Sequence, residues 1–329
     1  MSNAPTIEKI QDAAKRIEGH AVRTPLINYP LPDSPEGARL FIKPETLQRT
    51  GSFKFRGAYT KISRLSPDER AGGVVAFSSG NHAQGVAAAA GLHGIKSTIV
   101  MPKDAPAIKI ANTRALGAEV VLYDRYSEDR EAIGQKISDD TGAILVRPFD
   151  DPDIISGQAT AALEIVQDIQ AMGLGLDIMI VPCGGGGLLA GTALAVSNLS
   201  PKTEIWGVEP EGFDDTLQYF KTGERVGNDP AARTICDALS SPLPGELTFS
   251  INKDLVAGFA SVTDDEAGMA MREAFTKLKL VVEPGGAVAL AAVLAGKIDT
   301  AGKTVAVICS GGNVDPDLYA GIITGGSSD

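Results

Sequence analysis

The chain contains one run of four consecutive glycines: Gly184, Gly185, Gly186 and Gly187. The run follows apolar residues 177–182 and precedes a helix-like stretch at 187–198. Glycines let backbone N–H groups turn towards one point, and a helix N-terminus adds partial positive charge, so this arrangement predicts a phosphate site. The spacing fits neither GxGxxG nor GxxxxGKS, which disfavours a dinucleotide or a P-loop nucleotide. The alternative is a flexible turn without a ligand.

Two other loops combine glycine with hydroxyl and amide side chains. Residues Ser78 to His82 (SSGNH) follow an apolar run at 74–77, and residues 310–313 (SGGN) follow one at 303–308. The first loop could bind a carboxylate through its N–H and hydroxyl groups, or could simply cap the helix that begins near Asn81. Open α/β sheets bind ligands at the carboxyl ends of parallel strands, so the three loops together predict one shared crevice.

Lys54 lies between Phe53 and Phe55 in the segment 50–58 (TGSFKFRGA). Such a lysine is usually a solvated helix residue. A lysine removed from water has a lowered pKa, however, and can then act as a nucleophile or a base. The segment by itself leaves both interpretations open.

Strand-like and helix-like segments that must position these loops alternate along the 329 residues. Strand-like runs occupy 74–77, 97–101, 119–122, 143–146, 177–182, 204–208 and 303–308, and helix-like stretches include 107–116, 128–139, 157–171, 187–198 and 264–277. The alternation predicts an α/β fold with open, parallel-type sheets covered by helices on both faces. Two lobes fit the length better than one sheet.

Composition excludes several classes of function. The formal net charge of −11 argues against a nucleic-acid partner, because no basic face is visible. The N-terminus lacks the features of a signal peptide, and no apolar run is long enough to span a membrane. Three widely spaced cysteines form neither a disulfide framework nor a metal-binding pair, so we expect a cytoplasmic location.

In chain order, these segments resemble the threonine dehydratase and serine racemase family of pyridoxal 5′-phosphate (PLP) enzymes, with the tryptophan-synthase-β-like fold (fold type II). The resemblance covers nearly the whole chain. It includes TPL at 24–26, KPE at 43–45, the Lys54 segment, SSGNHAQG at 78–85, PFDDP at 148–152, GQAT at 157–160, CGGGGLLAG at 183–191, VEP at 208–210, VEPGGA at 282–287 and SGGN at 310–313. It implies a large domain (1–50 and 150–329), a small domain (51–149) and PLP in the cleft between them.

The resemblance implies a cofactor contact for several residues. Lys54 would hold PLP as a Schiff base and then act as the catalytic base. Phe53 would pack against the pyridine ring, and Asn81 would donate a hydrogen bond to the phenolic oxygen. The four glycines at 184–187 would bind the phosphate. Ser310 would face the pyridine nitrogen, where a neutral hydroxyl makes PLP a weaker electron sink than a carboxylate would. We expect this to favour loss of a β-hydroxyl group.

The substrate carboxylate would be bound by the loop Ser78, Ser79, Gly80, Asn81 and His82. Ser79 is an informative position, because many threonine dehydratases have Ala there and serine racemases have Ser. Its hydroxyl, on the cofactor face opposite Lys54, could protonate the planar carbanion as racemisation requires. The alternative is one more hydrogen bond to the carboxylate.

Arg130 and Ser241 match an arginine and a serine on the substrate side of the racemase branch. Together they could bind a β-carboxylate, as in 3-hydroxyaspartate, because arginine matches a carboxylate with two parallel hydrogen bonds. The alternative for Arg130 is an exposed helix arginine paired with Glu128 or Glu131.

A metal site is also implied. Glu209, the main-chain oxygen of Phe213, and Asp215 match positions that bind Mg²⁺ or Ca²⁺ in the racemase-like branch. Oxygen ligands suit these hard cations and Mn²⁺. We expect a structural role for the metal; the alternative is a solvated acidic loop.

The function implied is that of a PLP-dependent dehydratase, or ammonia-lyase. It would convert a small β-hydroxy-α-amino acid (3-hydroxyaspartate, L-threonine or L-serine) to a keto acid and ammonia by β-elimination of water. The alternative is a serine or aspartate racemase with dehydratase side activity. A β-replacement enzyme shares the fold but would lack the FKFRGA and SGGN context.

The family also implies a homodimer. The chain ends about fifteen residues after the SGGN loop, so we expect the short form without the regulatory domain of biosynthetic threonine dehydratases. A catabolic role without feedback inhibition by isoleucine is then favoured.

Overall fold

The computed structural model describes residues 3–29, 38–78, 80–105, 107–224, 226–229 and 231–325. The strands are β1 (Ile27–Tyr29), β2 (Arg39–Pro44), β3 (Val74–Phe77), β4 (Ser97–Pro102), β5 (Glu119–Tyr123), β6 (Ile144–Leu145), β7 (Ile178–Pro182), β8 (Glu204–Pro210), β9 (Gly258–Val262) and β10 (Thr304–Cys309). The helices are α1 (Ile7–Ile17), α2 (Lys54–Ser63), α3 (Pro67–Ala71), α4 (Asn81–Leu92), α5 (Ala107–Ala115), α6 (Arg130–Thr141), α7 (Pro152–Ala171), α8 (Gly187–Leu199), α9 (Asp215–Thr222), α10 (Glu246–Leu255), α11 (Asp264–Glu273), α12 (Pro284–Leu294) and α13 (Pro316–Thr324).

The larger sheet has six strands in the order β1-β2-β10-β7-β8-β9. β1 is antiparallel to β2, and the other neighbours are parallel. Because successive side chains of a strand face opposite sides, Met179 and Ala306 pack with α7 and α8 on one face. Ile180 and Val307 pack with α12 on the other face. Both faces are therefore covered, which explains why these strands are apolar throughout.

The smaller sheet has four parallel strands in the order β5-β4-β3-β6. Val74 and Ile99 pack with α2 and α4 on one face. Phe77 and Val100 lie in a second cluster that α6 covers from the other face. The predicted fold class, α/β with two sheets covered by helices, is thus confirmed.

The seven predicted strand-like runs are all strands, with ends that differ by at most two residues. Two helices differ from prediction by more than two residues at one end. α7 begins at Pro152 rather than 157, because the Asp151 side chain caps it by accepting from the N–H groups of Asp153 and Ile154. The stretch predicted at 264–277 is α-helical only to Glu273 and continues as a π-helix to Leu278.

The strands of the smaller sheet lie between residues 74 and 145, and those of the larger sheet at 27–44 and 178–309. The domain boundaries near 50 and 150 stay a prediction. Among the described residues, no helix combines the length and the apolar character needed to cross a membrane.

Candidate active site

A cavity of about 240 Å³ opens at the carboxyl ends of β3, β7 and β10. The residues from the sequence analysis that line it are Phe53, Lys54, Ser78, Gly80, Asn81, His82, Arg130, Gly184, Gly185, Gly186, Gly187, Ser241 and Ser310. Ser79 lies outside the described residues. The three loops therefore share one crevice, with walls from both sheets.

Lys54 is the first residue of α2 and is half-buried. Its Nζ donates a hydrogen bond to the carbonyl of Pro148 (2.8 Å) and lies 5.1 Å from the ring centroid of Phe53. Burial lowers the pKa of Lys54 to about 8, although the negative charge of Glu283 partly opposes this shift. A neutral, nucleophilic amine is therefore accessible near neutral pH.

The turn before Lys54 is bound to the SGGN loop. Thr50 adopts a left-handed conformation (φ 64°), which costs about 1 kcal/mol or more for a non-glycine residue. Asn313 Nδ2 donates to the Thr50 carbonyl (2.8 Å), and the Gly312 N–H donates to the Gly51 carbonyl (2.9 Å). The Phe53 N–H donates to the Ser310 carbonyl (3.1 Å). These bonds hold Lys54 beside Ser310.

A buried ionic network holds the helix that carries Lys54. The Arg56 guanidinium, on α2, donates to Glu45 (Nε to Oε2, 2.7 Å) and to Glu164 on α7 (Nη1 to Oε1, 2.7 Å). Lys43 Nζ also contacts Glu164 (2.6 Å). Two cations thus face two anions, and the network joins β2, α2 and α7.

The glycine loop has the geometry of an anion cradle. In the part of the chain that the structure describes, the backbone N–H groups of Gly184, Gly185, Gly186 and Gly187 have no hydrogen-bond acceptor. They lie at the start of α8, which has no side-chain cap. Gly186 has a φ of +86°, and a Cβ at Gly185 would overlap the ring of Phe149. This loop therefore requires glycine, and a phosphate would satisfy its N–H groups.

The SSGNH loop leads into α4, and two hydrogen bonds fix the side-chain amide of Asn81. Asn81 Oδ1 accepts from Asn313 Nδ2 (2.7 Å), and Asn81 Nδ2 donates to Glu283 Oε1 (2.5 Å). His82 Nε2 is 2.9 Å from the Val146 carbonyl. Burial, and then the nearby Lys54 charge, lowers the pKa of His82 to about 3, so its imidazole is neutral.

The structure adds charged residues that the sequence analysis did not select. Burial, and then the charge of Asp237, raises the pKa of Glu283 to about 8. Asp237 in turn pairs with Lys109 (2.8 Å), on α5. Arg125 also lines the cavity and pairs with Asp104 (2.8 Å). The VEPGGA motif was the one available signal for Glu283, and it does not specify a role.

Arg130 faces the cavity rather than a surface carboxylate. It is half-buried, and its guanidinium carbon lies 5.5 Å from the ring centroid of Phe77. Within the described ranges it forms no ion pair, either with Glu128 or with Glu131. Ser241 also lines the cavity, and its carbonyl accepts from Asn228 Nδ2 (2.8 Å).

Glu209, Phe213 and Asp215 lie apart from the cavity lining. Glu209 is fully buried, and its carboxylate accepts from the N–H groups of Thr216 (3.2 Å) and Leu217 (2.8 Å). Asp215 is also buried and accepts from Asn228 (2.7 Å). The two acids are therefore not in a solvated loop. Among the described residues, no three His, Cys, Asp or Glu side chains are grouped as metal ligands.

Comparison with known proteins gives a consistent result. The model of the family described as pyridoxal-phosphate dependent enzyme matches residues 17–311. L-threo-3-hydroxyaspartate ammonia-lyase of Pseudomonas sp is 47% identical over 313 residues, covering 95% of this chain and 97% of that protein. The Saccharomyces cerevisiae protein of the same name is 43% identical over 322 residues, covering 98% and 97%. Maize serine racemase has a similar structure, with a TM-score of 0.90 at 37% identity, and 98% of each chain is covered.

Proposed function

Because the chain belongs to the family of pyridoxal-phosphate dependent enzymes, we propose that it is an ammonia-lyase acting on L-threo-3-hydroxyaspartate. L-Threonine and L-serine are the other candidate substrates. One observation carries the proposal. A single cavity brings together Lys54, the N–H groups of the glycine loop and Arg130, which has no carboxylate partner among the described residues.

The residues fit PLP on the features of this structure. The N–H groups at 184–187 have no acceptor among the described residues, and a phosphate could accept hydrogen bonds from them. The dipole of α8 adds partial positive charge at the same place. Lys54 provides the amine for the Schiff base. Phe53 would pack against the ring, Asn81 would bind the phenolic oxygen, and Ser310 would face the pyridine nitrogen.

When bound, PLP supplies an electron sink for the bond that breaks at the substrate Cα. Lys54 Nζ takes the proton from Cα, while the loop Ser78–His82 binds the α-carboxylate. The Cβ hydroxyl would leave as water by taking a proton that the cofactor phosphate would supply. The released enamine becomes an imine, and water hydrolyses it to a keto acid and ammonia. From 3-hydroxyaspartate the keto acid is oxaloacetate.

The proposed substrate differs from threonine and serine by its β-carboxylate. We propose that Arg130 binds this β-carboxylate together with Ser241, which lines the same cavity. His82 is neutral and cannot supply a positive charge for it. The expected test is a comparison of kcat/KM for both diastereomers of 3-hydroxyaspartate, L-threonine, L-serine and D-serine, with keto acid and chirality measured. Preference for threonine over 3-hydroxyaspartate would refute this choice of substrate.

A racemase is the second candidate, because maize serine racemase matches the fold closely and Ser79 is a hydroxyl residue. Ser79 would then return a proton to Cα from the face opposite Lys54. In that case Ser79→Ala abolishes racemisation and spares elimination from the L-substrate. Equal rates of racemisation by the wild-type protein and by Ser79→Ala would exclude this role.

We also propose a structural Mg²⁺ (or Ca²⁺ or Mn²⁺) held by Glu209, Asp215 and the Phe213 carbonyl. Two buried carboxylates whose negative charges interact support it, because a cation would offset their repulsion. Mg²⁺ should raise the Tm of the native protein relative to EDTA and should not do so for Asp215→Asn. An unchanged Tm in both proteins would rule the site out. A cytoplasmic homodimer, with three buried free cysteines, completes the proposal.

A further inference from the structure

The glycine loop has its carbonyl groups bound by a neighbouring helix. Thr248, on α10, is fully buried, and its Oγ1 donates to the Gly185 carbonyl (2.7 Å). Asn252, one turn further on and 1% exposed, donates from Nδ2 to the Gly186 carbonyl (3.4 Å). α10 therefore contacts two successive peptide groups of this loop through side chains.

Peptide geometry converts these contacts into a direction for the N–H groups. The carbonyl of one residue and the N–H of the next lie in one plane and point in opposite directions. Fixing the Gly185 carbonyl towards Thr248 therefore directs the Gly186 N–H away from α10. The Gly186 carbonyl accepts from the Ala190 N–H within α8 (2.8 Å), and Asn252 adds a second, longer bond that holds the same peptide group and therefore the Gly187 N–H. Both glycines line the cavity, whereas Thr248 and Asn252 do not.

The loop needs such a restraint because it has no side chains of its own. Glycine loses more conformational freedom on ordering than any other residue. A loop left free would spread its N–H groups over many directions, and a bound phosphate would have to order it. Hydrogen bonds from α10 order the loop when the protein folds, so that ligand binding does not have to supply the free energy of ordering.

The start of α10 is itself fixed to the segment that contacts Lys54. Asp150 Oδ1 accepts from the N–H groups of Leu247 (3.0 Å) and Thr248 (3.1 Å). Its neighbour Phe149 fills the space beside Gly185, and Pro148 accepts from Lys54. Residues 148–150 thus connect the amine, the glycine loop and α10.

We infer that Thr248 and Asn252 are positioning residues that preorganise the phosphate-binding N–H groups. The inference rests on the proposed binding of PLP at this loop. Neither side chain lines the cavity. They act through the Gly185 and Gly186 peptide groups, and Asp150 holds the helix that carries them.

The test titrates the full-length protein, freed of PLP, with PLP and with pyridoxal, which lacks the phosphate. Thr248→Val keeps the shape and removes the hydroxyl, and should raise the Kd for PLP at least tenfold with little change for pyridoxal. Thr248→Ser should restore PLP binding. Asn252→Ala provides a second variant with the same expected direction. Ser250→Ala is the matched control, because Ser250 Oγ donates to the Leu247 carbonyl within α10.

Equal weakening of both ligands, or no change for either, would overturn the positioning role. Failure of the proposed function gives a different result. If the wild-type protein binds PLP no more tightly than pyridoxal, the glycine loop is not the phosphate site at all.

Discussion

At the residue scale, the chemistry depends on how the protein alters individual groups. The segment of Lys54 and its place among the motifs were sufficient to predict that it lies with the glycine loop, and it lines the same cavity. Glu283 was not predictable, because its raised pKa arises from burial near Asp237, 46 positions earlier in the chain. Ion pairs such as Lys109–Asp237 likewise join residues that only the folded chain brings together.

The lowered pKa of Lys54 predicts the pH dependence of cofactor capture. A pKa of about 8 leaves about 10% of the amine neutral at pH 7, against about 0.03% at the ordinary value of 10.5. The neutral form is the nucleophile, so the rate at which PLP-free protein takes up PLP should rise about tenfold per pH unit below 8 and level off above it. Stopped-flow absorbance measures this rate. A rate that still rises tenfold between pH 9 and 10 would contradict the shift.

Arg130 predicts substrate preference. Arg130→Ala removes the proposed partner of the β-carboxylate and should lower kcat/KM for 3-hydroxyaspartate by roughly 10- to 100-fold, as expected for a charge-assisted hydrogen bond. The value for L-threonine, which has no β-carboxylate, should stay nearly constant. Arg114→Ala, at an exposed position on α5, is the control. A parallel loss with both substrates would remove Arg130 from substrate recognition.

At the scale of elements, the local sequence predicts the positions of the loops but not the side chains from other segments that hold them in place. Strand, glycine loop and helix are contiguous at 177–198, so the sequence predicts their junction. The support of that junction by Thr248, and that of α2 by Glu164, comes from distant segments. No local pattern marks these side chains as partners, because periodicity specifies burial and not the identity of the contact.

The buried network around α2 predicts a large loss of stability on mutation. Arg56→Leu leaves Glu45 and Glu164 with one cation, Lys43, and an uncompensated buried charge costs about 3–5 kcal/mol. Urea unfolding of the holoenzyme should report that loss. Arg16→Leu breaks an exposed pair with Asp12 and should cost at most about 1 kcal/mol. Similar losses in the two variants would mean that the network contributes no special stability.

At the scale of the whole molecule, alternation of strands and helices was sufficient to predict the fold class. The order of strands was not predictable. β10, the last strand, lies between β2 and β7, and this placement brings the SGGN loop beside Lys54. The position of β10 depends on its pairing with two strands that are distant in the sequence, and no local pattern specifies that pairing. The shared crevice was predicted from the three loops, whereas the strand order that assembles it was not.

The most direct measurement of the central claim is the amount of oxaloacetate and ammonia released per L-threo-3-hydroxyaspartate consumed by the PLP-loaded protein. We predict equal amounts of both products from the wild-type protein, and from Lys61→Ala, which changes another lysine of α2. Lys54→Ala should release neither. Product formation by Lys54→Ala would contradict the account. Consumption of L-threo-3-hydroxyaspartate by the wild-type protein with no ammonia released would also contradict it.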